Sequence, residues 1–125
     1  MIGKTLTGVI VGGFAGDAWM PSCFDKTSQW LSSPNMFIFN LNQGNKWHSS
    51  YSSLNIWVNT YTDYDDLIDF GYHNALQFEY DDAVLTAKYS PSNDFVSEPT
   101  AFNFGFTSDS QTLRSIEVYK VNFGF

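Results

Sequence analysis

Cysteine and cationic side chains are the scarcest features of this sequence. Cys23 is its only cysteine, so no disulfide can form within the chain, which favours a reducing compartment. Lys and Arg together number 6 against 13 Asp and Glu, which gives a net charge of −7. Nucleic acids and anionic membrane surfaces are bound by clustered cations, and the sequence has no such cluster. We therefore expect no nucleic acid and no anionic membrane among the partners.

Long apolar runs are also missing. No stretch approaches the roughly 18 apolar residues that span a bilayer, and the first residues do not form the apolar core of a signal peptide. We therefore interpret the chain as a cytoplasmic protein without membrane insertion. Its 125 residues are the size of one domain, and we expect a single domain over residues 1–125.

Aromatic side chains are abundant, at 18% of the chain, and they favour the pleated surface of a sheet. Apolar residues alternate with period two in short runs at residues 6–11, 36–41, 54–58, 75–80, 101–106 and 116–123. Turn-forming residues separate these runs. The pattern predicts an all-β fold, an antiparallel two-sheet β-sandwich with one or two short helices. Residues 17–33 and 61–70 are where we expect a short helix or a long loop.

The alternation also predicts which aromatic side chains form the core. Phe37, Phe39, Phe78 and Phe104 each repeat on the apolar face of a run, so we expect all four to be buried between the sheets. Asp81-Asp82 separates two runs at the spacing of a two-residue hairpin turn, although the glycine that such turns favour is missing.

Several motifs follow one another in an order that resembles a known family. They are a double glycine at residues 12–14, a Trp loop at 18–19, a Phe-rich strand at 37–41, a Phe-Gly turn and strand at 69–79, and a closing Glu-Val strand at 116–121. Over about Thr7 to Val121 this order is similar to the TLDc domain. The sequence departs from the family at Val11, where Phe is usual, and at Asn74-Ala75, where an aspartate often stands. The family's domain begins well upstream, so the chain resembles an N-terminally truncated or minimal member.

The TLDc resemblance implies a β-sandwich with short helices at its side and no established catalytic activity. It also implies a role in resistance to oxidative stress and association with the peripheral sector of the vacuolar proton ATPase. We therefore expect a non-enzymatic protein-interaction domain, with no catalytic residue, no cofactor and no metal.

One cysteine and two histidines are the candidates for catalysis. Cys23 could form a thiol–imidazole pair with His48 or His73 only if the ring came within hydrogen-bonding distance and oxyanion donors lay nearby. Neither histidine lies in a recognisable catalytic context. We interpret Cys23 as an inert or mildly redox-sensitive thiol.

Two further motifs suggest ligands. The acidic run 62–69 offers carboxylates to Ca²⁺ but lacks the glycine and terminal glutamate of an EF-hand. We interpret it as a solvated acidic loop or a helix start, with Asp65 or Asp66 near the N-terminus. The glycines at 12, 13 and 16 lack the Gly-Lys-Ser/Thr ending of a phosphate-binding loop. They favour instead a strand-end turn with positive φ.

The alternative function is carbohydrate binding. A lectin-like β-sandwich could stack sugars on aromatic rings, and the candidates for such a platform are Trp19, Trp30, Trp47, Trp57, Tyr51, Tyr61 and Tyr64. Buried aromatic residues are nevertheless the commoner case, so this remains the second hypothesis.

Overall fold

The computed structural model describes residues 1–16, 28–51, 53–59, 66–71, 75–97, 99–106 and 108–119. Strands make up most of this part of the chain. They are β1 (Ile2–Thr5), β2 (Ile10–Phe14), β3 (Ser28–Pro34), β4 (Phe37–Asn40), β5 (Asn45–His48), β6 (Ser53–Asn59), β7 (Asp66–Phe70), β8 (Leu76–Asp81), β9 (Val84–Tyr89) and β10 (Ser110–Glu117), with the short helix α1 (Ala101–Phe104) between β9 and β10.

All ten strands belong to one hydrogen-bonded order, β3-β6-β7-β8-β9-β10-β1-β2-β4-β5. Each pair of neighbours is antiparallel. The prediction of an all-β antiparallel fold is therefore confirmed. The order begins with β3 and ends with β5, so the sheet is open within the described residues. Two separate sheets are not shown, because β10 connects the two halves.

Strand β10 changes its partner along its length. Residues Ser110–Thr112 pair with β9, whereas Leu113 and the residues after it pair with β1. The register with β1 shifts between Lys4 and Thr5, so Arg114 is an extra residue on β10. A bulge of this kind bends a strand and increases its twist. The continuous sheet can therefore turn at β10 and bring its two halves together.

The core lies where these halves meet. A Cβ atom built on Gly13 of β2 would lie 2.6 Å from the ring of Phe70 on β7, and one on Gly3 of β1 would lie 2.7 Å from the ring of Phe78 on β8. The two glycines therefore allow backbone and ring to approach closely. The largest fully buried side chains come from strands of both halves, from α1 and from the connecting segments: Tyr89, Phe70, Phe78, Phe95, Phe104, Phe106, Met36, Ile38, Ile56, Leu76 and Val11.

Half of the predicted aromatic core is correct. Phe78 and Phe104 are fully buried, as expected. Phe37 and Phe39 are not, since on β4 the buried residues are Ile38 and Asn40. The prediction took Phe37 and Phe39 as the apolar face of this run. In the structure the Asn40 amide donates to the Phe104 carbonyl oxygen at 2.6 Å and accepts from the Gln43 N–H at 3.2 Å, which compensates its burial.

The predicted strand at residues 101–106 is wrong. Ala101–Phe104 form a helical turn in which the Phe104 N–H donates to the Thr100 carbonyl oxygen at 2.8 Å. The Thr100 hydroxyl caps this turn by accepting from the Asn103 N–H at 3.1 Å. Gly105 ends it with a φ of 103°. As a result Phe104 is buried, whereas Phe102 is 80% exposed.

The predicted first strand, at residues 6–11, is wrong over residues 6–9, since β2 begins only at Ile10. Those residues contain the turn between β1 and β2, where Gly8 has a φ of 91° and Leu6 is exposed. The double glycine lies inside β2 and not in a turn, and neither Gly12 nor Gly13 has positive φ. Gly13 instead allows the ring of Phe70 to approach the backbone of β2 closely.

Strands replace parts of both segments predicted as helix or loop. Ser28–Pro34 form β3, which pairs with β6 over its whole length. Asp66–Phe70 form β7, which lies between β6 and β8. Backbone hydrogen bonds to neighbouring strands outweigh a weak local preference here.

The predicted hairpin is confirmed, with its turn shifted by one residue. β8 and β9 pair up to Asp81 and Val84, so the turn residues are Asp82 and Ala83, at φ values of 47° and 63°.

Within the described residues, no helix is long and apolar enough to cross a membrane.

Candidate functional surface

The outward side of β2, β4 and β5 carries a cluster of aromatic and cationic side chains. Because Ile38 and Asn40 face the core, their neighbours Phe37 and Phe39 face outward. The strand register sets Phe14 opposite Phe37 and His48 on the other side of Phe37, with Lys46 opposite Phe39. We call Phe14, Phe37, Phe39, Lys46 and His48 the outer aromatic face.

Phe37 is the centre of this face. Its ring stacks on Phe14, with centroids 5.1 Å apart and planes at 18°. The His48 ring meets it edge-on at 5.9 Å, and the Lys46 Nζ lies 4.9 Å from its centroid. Such stacking and cation–π contacts hold side chains in defined positions. The face is therefore partly ordered before any partner arrives.

Phe39 covers the backbone of β2. A Cβ atom built on Gly12 would clash with the Met1 carbonyl oxygen and would lie 2.5 Å from Cζ of Phe39, so only glycine lets both lie this close to the strand. The Phe37 and Phe39 centroids are 6.1 Å apart. Gly12 and Phe39 thereby extend the apolar surface of Phe37 across two strands.

The outward side of β8 and β9 is chemically different. There the buried Glu79 carboxylate accepts a hydrogen bond from the Lys88 ammonium at Oε1, at 2.9 Å, and forms an ion pair with it at Oε2, at 2.8 Å. The neighbouring outward residues Gln77 and Thr86 are polar. The aromatic composition of the β2–β4–β5 side is thus a local feature.

Charge on the outer aromatic face is opposite in sign to that of the chain. Its ionisable members are Lys46 and His48, which are both exposed, whereas the whole chain carries a net charge of −7. The face is therefore an apolar and locally non-acidic area on an acidic protein.

The candidate thiol–imidazole pairs can be located only in part. Cys23 and His73 lie outside the described residues. His48 lies on the outer aromatic face, where its ring contacts Phe37.

The acidic run differs from the prediction in its described part. Asp66–Phe70 form a strand, and Asp69 is buried, so Asp69 does not belong to a solvated loop or a helix start. Asp63 and Asp65 lie outside the described residues. Among the residues that the structure describes, no three His, Cys, Asp or Glu side chains are grouped as a metal site would require.

Of the seven residues of the candidate tryptophan platform, the structure describes the side chains of Trp47 and Tyr51. Trp47 packs inward against the core, with its ring 5.5 Å from that of Phe104. The backbone of Trp30 lies opposite that of Trp57 in the β3–β6 pair. Tyr51 is exposed, and Trp19, Tyr61 and Tyr64 lie outside the described residues.

Sequence reasoning missed the outer aromatic face because it assigned Phe37 and Phe39 to the core. A usable signal was present, since Met36 and Ile38 form a second apolar series on the opposite side of the same run. Both sides of the run are apolar, so alternation by itself did not show which side faces the core.

Comparison of this chain with protein-family models, with curated proteins and with solved structures finds no match.

Proposed function

We propose that this chain is a non-enzymatic protein-interaction domain of the TLDc type, and that the outer aromatic face is its contact surface. The observation that carries the proposal is the outward stack of Phe14 and Phe37 with Lys46 above the Phe37 ring. Aromatic residues at the centre of an interface contribute large contact area at little conformational cost.

The position of this face in the sheet favours a protein partner. β5 is the last strand at one end of the described sheet, and its C-terminal part is joined to a loop through the bridge between Ser49 and Phe95. A partner that contacts the aromatic rings therefore lies beside the end of the described sheet. Strand addition there is confined to the part of β5 before His48, because the His48 carbonyl oxygen already accepts from the Val96 N–H.

The TLDc resemblance supplies the identity of the partner. It implies the peripheral sector of the vacuolar proton ATPase, a cytoplasmic location and a role in oxidative stress resistance. The two-layer sandwich of that family belongs to the same proposal. It is supported by the bulge in β10 and by the approach of Gly13 to Phe70 across the core.

A pull-down with matched variants tests the proposal. The immobilised wild-type chain should capture pump subunits from a eukaryotic lysate, and Phe37→Ala should reduce the captured amount about tenfold, as expected for a central aromatic contact. Tyr80→Ala is the matched control, because Tyr80 is an exposed aromatic residue on a different strand. The wild-type chain should show no hydrolase or peroxidase turnover in the same preparation.

The outcomes separate the parts of the proposal. If Phe37→Ala captures as much of the pump subunits as the wild-type chain does, the outer aromatic face is not the contact surface, and only the proposed partner is supported. Capture of no pump subunit by the folded wild-type chain would end the proposed association with the vacuolar proton ATPase.

A further inference from the structure

A groove lies between the β4–β5 turn and helix α1. These two segments are far apart in the sequence, so no local pattern predicts that they meet. Its volume is about 450 Å³, and it is lined by Gln43, Asn45, Phe102, Asn103, Gly105 and Phe106. This volume falls in the range of roughly 300–1,000 Å³ that is typical of small-ligand sites.

One buried side chain fixes the two walls of the groove relative to each other. Asn40 donates to the Phe104 carbonyl oxygen in the α1 wall and accepts from the Gln43 N–H in the turn wall. Gly105 completes this contact, because a Cβ atom there would lie 2.3 Å from the Asn40 Nδ2. The groove is therefore held open by the fold and needs little rearrangement to bind a ligand.

The polar lining consists of carboxamides without a charged side chain. Asn45 donates to the Gln43 Oε1 at 3.1 Å, and Asn103 accepts from the Thr100 hydroxyl at 2.9 Å. Within the described residues, these bonds leave the Gln43 Nε2, the Asn45 Oδ1 and the Asn103 Nδ2 for a ligand. A side-chain amide offers both donors and an acceptor. It therefore suits a ligand with neighbouring hydroxyl groups, which themselves donate and accept hydrogen bonds.

Phe102 supplies a flat apolar surface at the same place. Its side chain is 80% exposed, although the adjacent turn holds its backbone through the Thr100 cap and Gly105. An exposed ring beside carboxamides matches a ligand with one apolar face and a hydroxylated rim. A pyranose ring has this composition, whereas a charged ligand would find no ion pair in this lining.

We propose that this groove binds an uncharged saccharide, with a pyranose ring stacked on Phe102 and its hydroxyl groups bonded to Gln43, Asn45 and Asn103. The site shares no residue with the outer aromatic face or with the tryptophan platform considered from the sequence. It is thus independent of the proposed protein contact.

Amide-detected NMR titration of the purified full chain tests this site. The probes are four neutral oligosaccharides: cellohexaose, chitohexaose, xylohexaose and mannohexaose. At least one should give saturable shifts at the side-chain amides of Gln43, Asn45 and Asn103. Phe102→Ala should weaken that binding about tenfold, which corresponds to the loss of one aromatic stacking contact, and Asn103→Ala should also weaken it.

Two controls make the result specific. Tyr80→Ala removes an exposed ring outside the groove and should leave saccharide affinity unchanged, and so should Phe37→Ala. The inference is overturned if none of the four probes gives saturable shifts, if the shifts lie outside the groove, or if folded Phe102→Ala binds as tightly as the wild-type chain. In the pull-down, Phe102→Ala should capture as much of the pump subunits as the wild-type chain does. The saccharide site and the proposed protein contact can therefore fail independently of each other.

Discussion

Ile38 and Phe37 are adjacent on β4 and face opposite sides of the sheet. Ile38 is fully buried, whereas Phe37 is partly exposed. We therefore expect Ile38→Ala to lower the free energy of unfolding by about 2–5 kcal/mol, as for other buried aliphatic residues. Phe37→Ala should cost only about 0.5–1.5 kcal/mol through lost stacking. Urea unfolding of both variants measures the difference, and a larger loss for Phe37→Ala would show that the register of β4 is inverted.

The phenol of Tyr119 should titrate at unusually high pH. It donates a hydrogen bond to the Glu117 carboxylate, and this bond, with the negative charge of Glu117, raises the pKa of Tyr119 above 10.0. The stabilising contact is thus present below pH 10.0 and is lost as the pH rises through the higher folded pKa. Because the group is exposed, we expect its effect in titration and not in stability.

Ultraviolet absorbance of the phenolate against pH measures this effect. The difference between the wild-type chain and Tyr119→Phe isolates the one group, and Glu117→Gln should move its transition to lower pH. The interpretation is wrong if Glu117→Gln leaves the Tyr119 transition where it was.

At the scale of elements, the β8–β9 hairpin contains a strained turn. Asp82 and Ala83 both have positive φ, as in a type I′ turn, where glycine is preferred. A non-glycine residue in this region costs about 1–2 kcal/mol. We expect Ala83→Gly to raise the free energy of unfolding by about 1 kcal/mol in urea titration. The matched control is Ala87→Gly in the buried part of β9, which should lower it. Destabilisation by Ala83→Gly would contradict the turn assignment.

Contact between the two halves of the sheet can be measured at Gly13. A methyl group there would lie 2.6 Å from the Phe70 ring, so Gly13→Ala should cost about 1–3 kcal/mol by overpacking. Phe70→Leu removes the clashing ring atoms, and the loss caused by Gly13→Ala should be smaller in that background. Gly44→Ala serves as the control. Gly44 has a φ of 68° with no neighbouring atom within 4 Å, so its cost should not depend on Phe70.

The coupling between Gly13 and Phe70 decides whether the sheet is folded over. If the two substitutions are additive in urea unfolding, β2 and β7 do not touch across the core, and the two-layer arrangement is wrong.

At the scale of the whole molecule, the net charge of −7 should steer the chain toward a basic partner through its long-range field, although the outer aromatic face itself carries Lys46 and His48. Raising the salt concentration should therefore slow association more than it changes dissociation, because screening acts on the long-range field. Surface plasmon resonance with a captured pump subunit measures both rates. Asp81→Asn/Asp82→Asn removes two exposed negative charges and should reduce the salt dependence. An association rate that does not change with salt would contradict electrostatic steering.

The sequence by itself determined the all-β antiparallel class, the β8–β9 hairpin and the burial of Phe78. The class follows from the composition, and the hairpin and the burial of Phe78 follow from alternation within a few neighbouring residues. The tertiary structure alone decided which side of β4 faces the core, since both sides are apolar and the choice depends on the distant Phe104 carbonyl that Asn40 binds. It also decided that Phe102 lies on a capped turn and that Gly12 and Gly13 serve close approach, because both depend on neighbours that the strand order brings together. The outer aromatic face and the groove between the β4–β5 turn and α1 are therefore products of packing, assembled from residues whose local patterns predicted a different arrangement.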